Sequence, residues 1–538
     1  MNTLRPENDG KLRGFLDGKK SRTVAESLTT QKERLTALVP TILRIAQELG
    51  FDPPETTFDI VPVKFIYETA AFGMPGVFTH WTNGEDYWKM MDEYENGSKI
   101  YELVTNTRPA RAYFAENNPD SQQLLVMAHV LGHTDFFKHN IAFRHTDPHI
   151  AQNVLVQAKR ITGYEHEYGV PIVEEFIDAA KAIMWNIDPD PKSPINTMSP
   201  REYIVWGRKK FLDSWETQHA RRRTGYEDLL ELDERGKEKP KKPDVPFPAH
   251  EERDVMKFVR MFAPDGFADW QADIFDCVRN MMVHVWGQAE TKIMNEGWAT
   301  YAHVQIMHKM DEDGQIPEES DDALEFASMH SGVIQPHPYN PNPYQLGLAI
   351  WQDIARKYRG EVRADGKLDY DWKGDKIDVR TLTSEERERY NPRVIMETYR
   401  DASFLRDFLT PALVEELNLY EYGLQKDSRN RENWTITTRN PQEIINGLVA
   451  SKINNGLPVI VVAPGGGDYN GKKELYLVHK YEDAEDSLRA DYAEGTLLQL
   501  YSLWKRPVHL KTVDKGKVVI MTCADGKTIE RKPILTSY

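Results

Sequence analysis

Apolar side chains recur at Leu35, Leu38, Ile42, Ile45, Ala46 and Leu49, a helical spacing that Gly50 ends. A second helix is predicted over residues 120–140, entered through Asn118-Pro119-Asp120 and carrying Leu124, Leu125, Met127, Ala128, Leu131 and Phe136 on its apolar surface. The same periodicity predicts helices over 170–185, 267–285, 289–310, 346–358 and 404–417, and another from Pro317 through Phe326. Near the end of the chain the pattern changes to strand-like runs at 434–437, 458–463, 474–479 and 517–523. Residues 72–88 are aromatic and rich in turn formers and are expected to be irregular.

The pattern predicts an α+β chain that is predominantly helical. Residues 1–25 read as a flexible N-terminal extension, 26–389 as a helical core, and 390–538 as a smaller C-terminal α+β module. Surface insertions are expected near 186–200, where Pro, Asp and Ser concentrate, and near 230–250, where a charge run is followed by prolines.

Composition narrows the class. With 40% hydrophobic and 28% charged residues among 538, the chain is globular in character. No apolar run approaches the roughly 18–20 residues a membrane span needs, and residues 1–20 lack the apolar stretch of an export signal. Cys277 and Cys523 are the two cysteines, far apart, which fits a reducing, cytoplasmic setting and offers no cysteine metal cluster. A net charge of -16 argues against nucleic-acid binding, the local run Arg221 to Arg223 notwithstanding.

The candidate chemistry lies on two helices. His129 and His133 are four residues apart, so one helix face can aim both imidazoles at one volume. Glu296, Thr300 and His303 form a polar stripe on an otherwise apolar helix, where a buried carboxylate is costly unless paired or bound to an ion. Two nitrogens and a carboxylate oxygen suit Zn2+ and also fit Fe2+ or Mn2+. His303 is open to three roles, as a further ligand, a partner of Glu296 or a proton carrier. A glutamate directly after the first histidine would activate water, but Val130 stands there; Glu290, on another helical face, is a substitute base. A hydrogen-bonded His/Glu network that only orients helices accounts for the same residues. The acidic stripe Glu167, Glu174 and Asp178 reads first as a solvated face. The Gly465 to Gly471 segment lacks the lysine and serine or threonine of a phosphate-binding loop and reads as a turn.

Several segments resemble the stage V sporulation protein R (SpoVR) family: Thr79-His80-Trp81, the run from Tyr101 to Asn106, that from Ala128 to Asn140, that from Thr291 to Thr300, Phe326 to Ser331, Asn342 to Gly347, Asp401 to Leu405 and Phe408 to Thr410. The resemblance implies a bacterial intracellular protein linked, in spore formers, to spore-cortex assembly. It also implies genetic association with a PrkA-like serine protein kinase and a von Willebrand A-like protein. The runs His129 to Phe136 and Asn295 to Ala299 are similar to the metal-binding portions of gluzincin aminopeptidases. That similarity implies a zincin-like helical core with His129, His133 and Glu296 as metal ligands, and a hydrolase acting on a peptide or cell-wall precursor. Val130 and the long separation of His133 from Glu296 depart from the peptidase pattern. A noncatalytic regulatory or assembly protein with a structural His/Glu site is the alternative.

Overall fold

A computed structural model describes residues 2–4, 24–74, 76–96, 99–220, 243–315, 330–336, 340–426, 431–481 and 487–534. The contacts divide the chain into two compact units, 1–159 with 287–456, and 160–286 with 457–538. Each unit is built from two separate stretches, a different partition from the 26–389 and 390–538 division read from sequence. Among the described residues no helix is long and apolar enough to cross a membrane.

In the first unit, strands β1 (Asn2–Leu4), β2 (Thr56–Val61), β3 (Glu102–Thr105) and β4 (Ala110–Ala115) form a sheet in the order β1-β2-β4-β3. The β2–β4 pair is parallel and the other two are antiparallel. Of the expected N-terminal extension, Asn2–Leu4 is the edge strand of this sheet, and residues 5–23 lie outside the described residues. Helix α1 (Val24–Glu48) starts earlier than its apolar repeat suggested. Its Leu35, Leu38, Ile42 and Ile45 join Phe58, Phe114 and the following helices in one core.

Helix α2 (Asp120–His139) matches the predicted segment and is buried at every position from Gln122 to Phe137. A helix enclosed on all sides has no solvent face to receive polar side chains, so each polar group on it must find a partner inside. Helix α3 (Lys292–Glu312) packs against it. A Cβ on Gly132 would come within 2.6 Å of the Ala299 Cα, so glycine is what lets these backbones approach. Gly297 does the same toward helix α4 (Pro343–Arg359), where an added Cβ would lie 2.5 Å from Gly347 Cα.

Two expectations change here. The predicted 404–417 helix is two helices, α5 (Asp401–Phe408) and Pro411–Glu416, because Pro411 cannot donate to a continuing helix and Thr410 caps the second. The segment 72–88 is not wholly irregular. A helix over Trp81–Glu95 begins where the His80 side chain accepts from the Thr82 N–H.

The second unit contains a five-stranded sheet of β5 (Val459–Val462), β6 (Leu475–Lys480), β7 (Val508–Asp514), β8 (Lys517–Cys523) and β9 (Ile529–Pro533), ordered β9-β8-β7-β6-β5. Helix α6 (Ala490–Trp504) makes the crossover that the parallel β6–β7 pair requires. Strand β7 escaped the sequence reading although Val508, Leu510 and Thr512 alternate inward. In the same unit the 186–200 insertion carries the short helix Pro194–Thr197 and buries Ile187 and Ile195. Of the second insertion, residues 230–242, like Arg221 to Arg223 and the 317–326 helix, lie outside the described residues. Cys277 and Cys523 are both free thiols.

Candidate metal centre

His129 and His133 lie one turn apart on α2 with ring centroids 4.6 Å apart. From α3, Glu296 Oε2 stands 3.4 Å from His133 Nε2 and 3.7 Å from His129 Nε2. A fourth group comes from the sheet, as Glu102 Oε1 lies 3.8 Å from His129 Nε2. Strand alternation explains why Glu102 faces the helices. Val104, two positions on, packs on the main core, whereas the intervening Leu103 packs on a smaller cluster across the sheet.

Contacts of 3.4–3.8 Å are too long for good hydrogen bonds. Donor atoms surrounding one tetrahedral ion at ~2.1 Å would sit roughly 3.4 Å from one another, which is the spacing found here. Among the described residues, buried His129 Nε2 and Glu296 Oε2 have no partner at hydrogen-bonding geometry. Glu102, His129 and His133 have ligand atoms all within 4.8 Å of one another. Orphaned buried donors of metal-binding type fit a cation better than they fit a closed hydrogen-bond network.

The remaining ring nitrogens are held from outside. His133 Nδ1 lies 2.9 Å from Asn295 Oδ1, so a proton there leaves the Nε2 lone pair facing the cluster. His129 Nδ1 lies 3.0 Å from His303 Nδ1, and His303 Nε2 lies 3.0 Å from His330 Nδ1. If His129 Nδ1 carries its proton, the chain is consistent with donation to His303 and onward to His330. His303 was expected as a further ligand, a partner of Glu296 or a proton carrier; its contact is with His129, one imidazole behind the cluster. The Tyr344 ring stacks on His129 at 5.9 Å.

Charge is strongly redistributed in this volume. Burial opposes charge on Glu296, yet the two imidazoles beside it hold its carboxyl well below the usual range. Burial drives Glu102 the other way, to about 7, and the negative Glu296 adds to the effect. Burial also lowers His129 to about 4; at His133 burial acts the same way, but Glu296, Asn295 and Glu102 together outweigh it and raise the imidazole. The Tyr344 phenol is held protonated, first by the charge of Glu296 and then by burial.

Around this cluster, Asp135 and Asp401 fix the helices. Asp135 is fully buried, accepts from Trp298 Nε1 at 2.9 Å and is bridged by Arg393 at 2.8 and 3.0 Å, which ties α2 to α3. Asp401 of α5 accepts from the N–H groups of Ile293 and Met294, both at 2.9 Å, at the start of α3. Glu290 is not brought to the cluster and instead faces Arg400 at 3.1 Å. Glu167, Glu174 and Asp178 belong to the second unit, with Glu167 exposed. Val130 is fully buried apolar packing. Sequence reasoning did not single out Glu102, Asn295, Tyr344 or the His303–His330 contact as site features. Glu102 carried one usable signal, a carboxylate in phase with Val104 on a short strand.

A family model described as "SpoVR like protein" matches residues 29–457, a span that contains every residue of the cluster. Over 368 residues the chain is 29% identical to "Uncharacterized protein YcgB" of Escherichia coli (strain K12), covering 65% of this chain and 67% of that protein. No solved structure matches the chain.

Proposed function

The chain belongs to the SpoVR family, and from that premise we propose that it is a metal-dependent hydrolase in which His129, His133 and Glu296 would hold the ion and Glu102 serves as the base. Zn2+ is the ion proposed for this donor set, which Fe2+ or Mn2+ also fits. The observation that carries the reading is the placement of the Glu102 carboxyl, 3.8 Å from His129 Nε2 and grouped with His129 and His133. A carboxyl in that place supplies the proton-accepting group that Val130 cannot.

When bound, such an ion supplies Lewis acidity and an acidified water. The chain's own residues do the rest. Glu102 accepts a proton, Asn295 and His303 orient the two imidazoles, and the protonated Tyr344 hydroxyl beside Glu296 is available as a hydrogen-bond donor. His303 therefore acts through His129, and Glu290 has no part in the proposed chemistry. The two-helix donor arrangement supports a zincin-like core, and with it a peptide or cell-wall precursor as substrate. A role in spore-cortex assembly, with a PrkA-like serine protein kinase and a von Willebrand A-like protein as partners, is proposed from the family alone.

The decisive variant is Glu102→Gln. As a base, Glu102 leaves metal content near wild type on replacement, and hydrolysis of a panel of peptidoglycan stem peptides falls about 100-fold or more. Loss of the metal from E102Q would overturn the assignment and favour a second reading, in which Glu102 is the fourth ligand of a closed, structural centre. The observation favouring that second reading is that Glu102, His129 and His133 already offer ligand atoms within 4.8 Å of one another, with Glu296 3.4 and 3.7 Å from the two imidazoles.

A further inference from the structure

A cavity of about 310 Å³ lies in the first unit, behind the metal helix. Its inner wall includes Thr134 and Phe137 of α2, and the Phe137 ring stacks on that of His133 at 6.1 Å. The rim carries Arg108, Lys138 and Arg144. None of the twelve lining residues is acidic, in a chain where 84 of 538 residues are Asp or Glu and twelve would carry about two.

The polar groups divide into spent and free. Thr146 Oγ1 donates to the Phe143 carbonyl and accepts from Asn106 Nδ2 at 2.9 Å, and Thr107 Oγ1 donates to the Pro109 carbonyl. Their hydroxyl protons are therefore committed within the wall. Asn106 keeps one N–H. Lys138 pairs with Asp52 at 2.8 Å, which neutralises it while leaving ammonium protons over. Arg108 and Arg144 are exposed and make no ion pair among the described residues. The cavity thus presents two uncompensated guanidinium groups and several N–H donors, without a carboxylate on its lining.

We propose that this cavity binds a dianionic phosphate group, free or as part of a small phosphorylated molecule. Two guanidinium forks offer paired N–H donors of the geometry phosphate oxygens accept, and two positive charges balance a dianion. The volume sits at the lower end of small-ligand pockets, enough for a compact phosphomonoester. The proposal does not depend on the metal centre being catalytic.

The test is calorimetric titration of the full chain with inorganic phosphate at fixed ionic strength, with acetate as the monoanionic control and chelator-treated protein run in parallel. Saturable phosphate binding that survives chelation is expected, with acetate markedly weaker. Arg108→Gln and Arg144→Gln should each weaken binding about tenfold, while the metal content and melting temperature stay at wild-type values. Both side chains are exposed, so folding should tolerate the changes. The proposal is overturned if phosphate does not bind, if binding disappears on chelation and so belongs to the metal, if acetate binds equally well, or if R108Q and R144Q bind phosphate as the wild type does.

Discussion

The α2–α3 helix pair and the β5–β9 sheet both bury histidines, and they treat them differently. In the sheet, His479 Nδ1 meets Thr512 Oγ1 at 3.0 Å, and His509 reaches Thr522 at 2.9 Å and Glu474 at 3.1 Å. These imidazoles have partners from neighbouring strands, and their surroundings are apolar positions in register, such as Leu477 opposite Leu510. On the helices, each cluster histidine has one nitrogen fixed by a neighbour and the other directed at a carboxylate that is too far for a good hydrogen bond. Burying polar atoms without partners costs free energy, and a fold that retains the arrangement has a use for it. The sheet pairs its imidazoles with neighbouring strands, whereas the helix pair leaves buried donor atoms of metal-binding type facing one another.

The largest effect that would break this contrast concerns the cluster itself. His133→Ala should weaken metal binding by more than about 100-fold, measured by elemental analysis after dialysis, because the proposed centre loses a direct ligand. Full metal retention would place the histidines in the same structural class as those of the sheet.

Next comes the anchor of α3. Burial raises the Asp401 carboxyl to about 7, against the hydrogen bonds from Ile293 and Met294. An acid whose folded pKa lies above its unfolded value of 3.8 binds more protons folded than unfolded between about pH 4 and 7, so stability falls as pH rises through that window and then levels off. Across that window the loss amounts to roughly 4 kcal/mol. Asp401→Asn should remove this slope, although its amide cannot accept both backbone bonds. Denaturant midpoints across pH 4–8 for the two proteins check it, and parallel curves would show that Asp401 does not titrate there.

The smallest effect sharpens the other side of the comparison. Leu510→Ala should cost about 3 kcal/mol, since Leu510 is buried opposite Leu477 and Met521, and should leave bound metal unchanged. A loss of metal in this variant would mean that sheet and cluster are not energetically separate.

Much of the helical architecture was legible, because 3.6-residue periodicity marks helices such as α1 and α4, whereas α2, buried from Gln122 to Phe137, was legible from its entry at Asn118-Pro119-Asp120 and its apolar content. His129, His133 and Glu296 were legible for a related reason. Helical spacing brings the two histidines together locally, and a carboxylate on an apolar helix advertises its own cost. Strand β7 was missed because two-residue alternation over seven residues is a weak signal. The 404–417 helix was overextended because its apolar pattern continues across Pro411.

The sequence by itself determined where several helices form, α2 and α3 among them, which of their faces carry nitrogen and oxygen donors, and that no glutamate follows His129. Only the tertiary structure decided that Glu102 would complete the cluster, that Asn295 and His303 would orient the imidazoles, and that Glu290 would turn to Arg400. The physical reason is range. Spacing along a helix fixes neighbours three and four residues away, whereas the meeting of β3 with α2 and α3 depends on strand register and on close approach through Gly132.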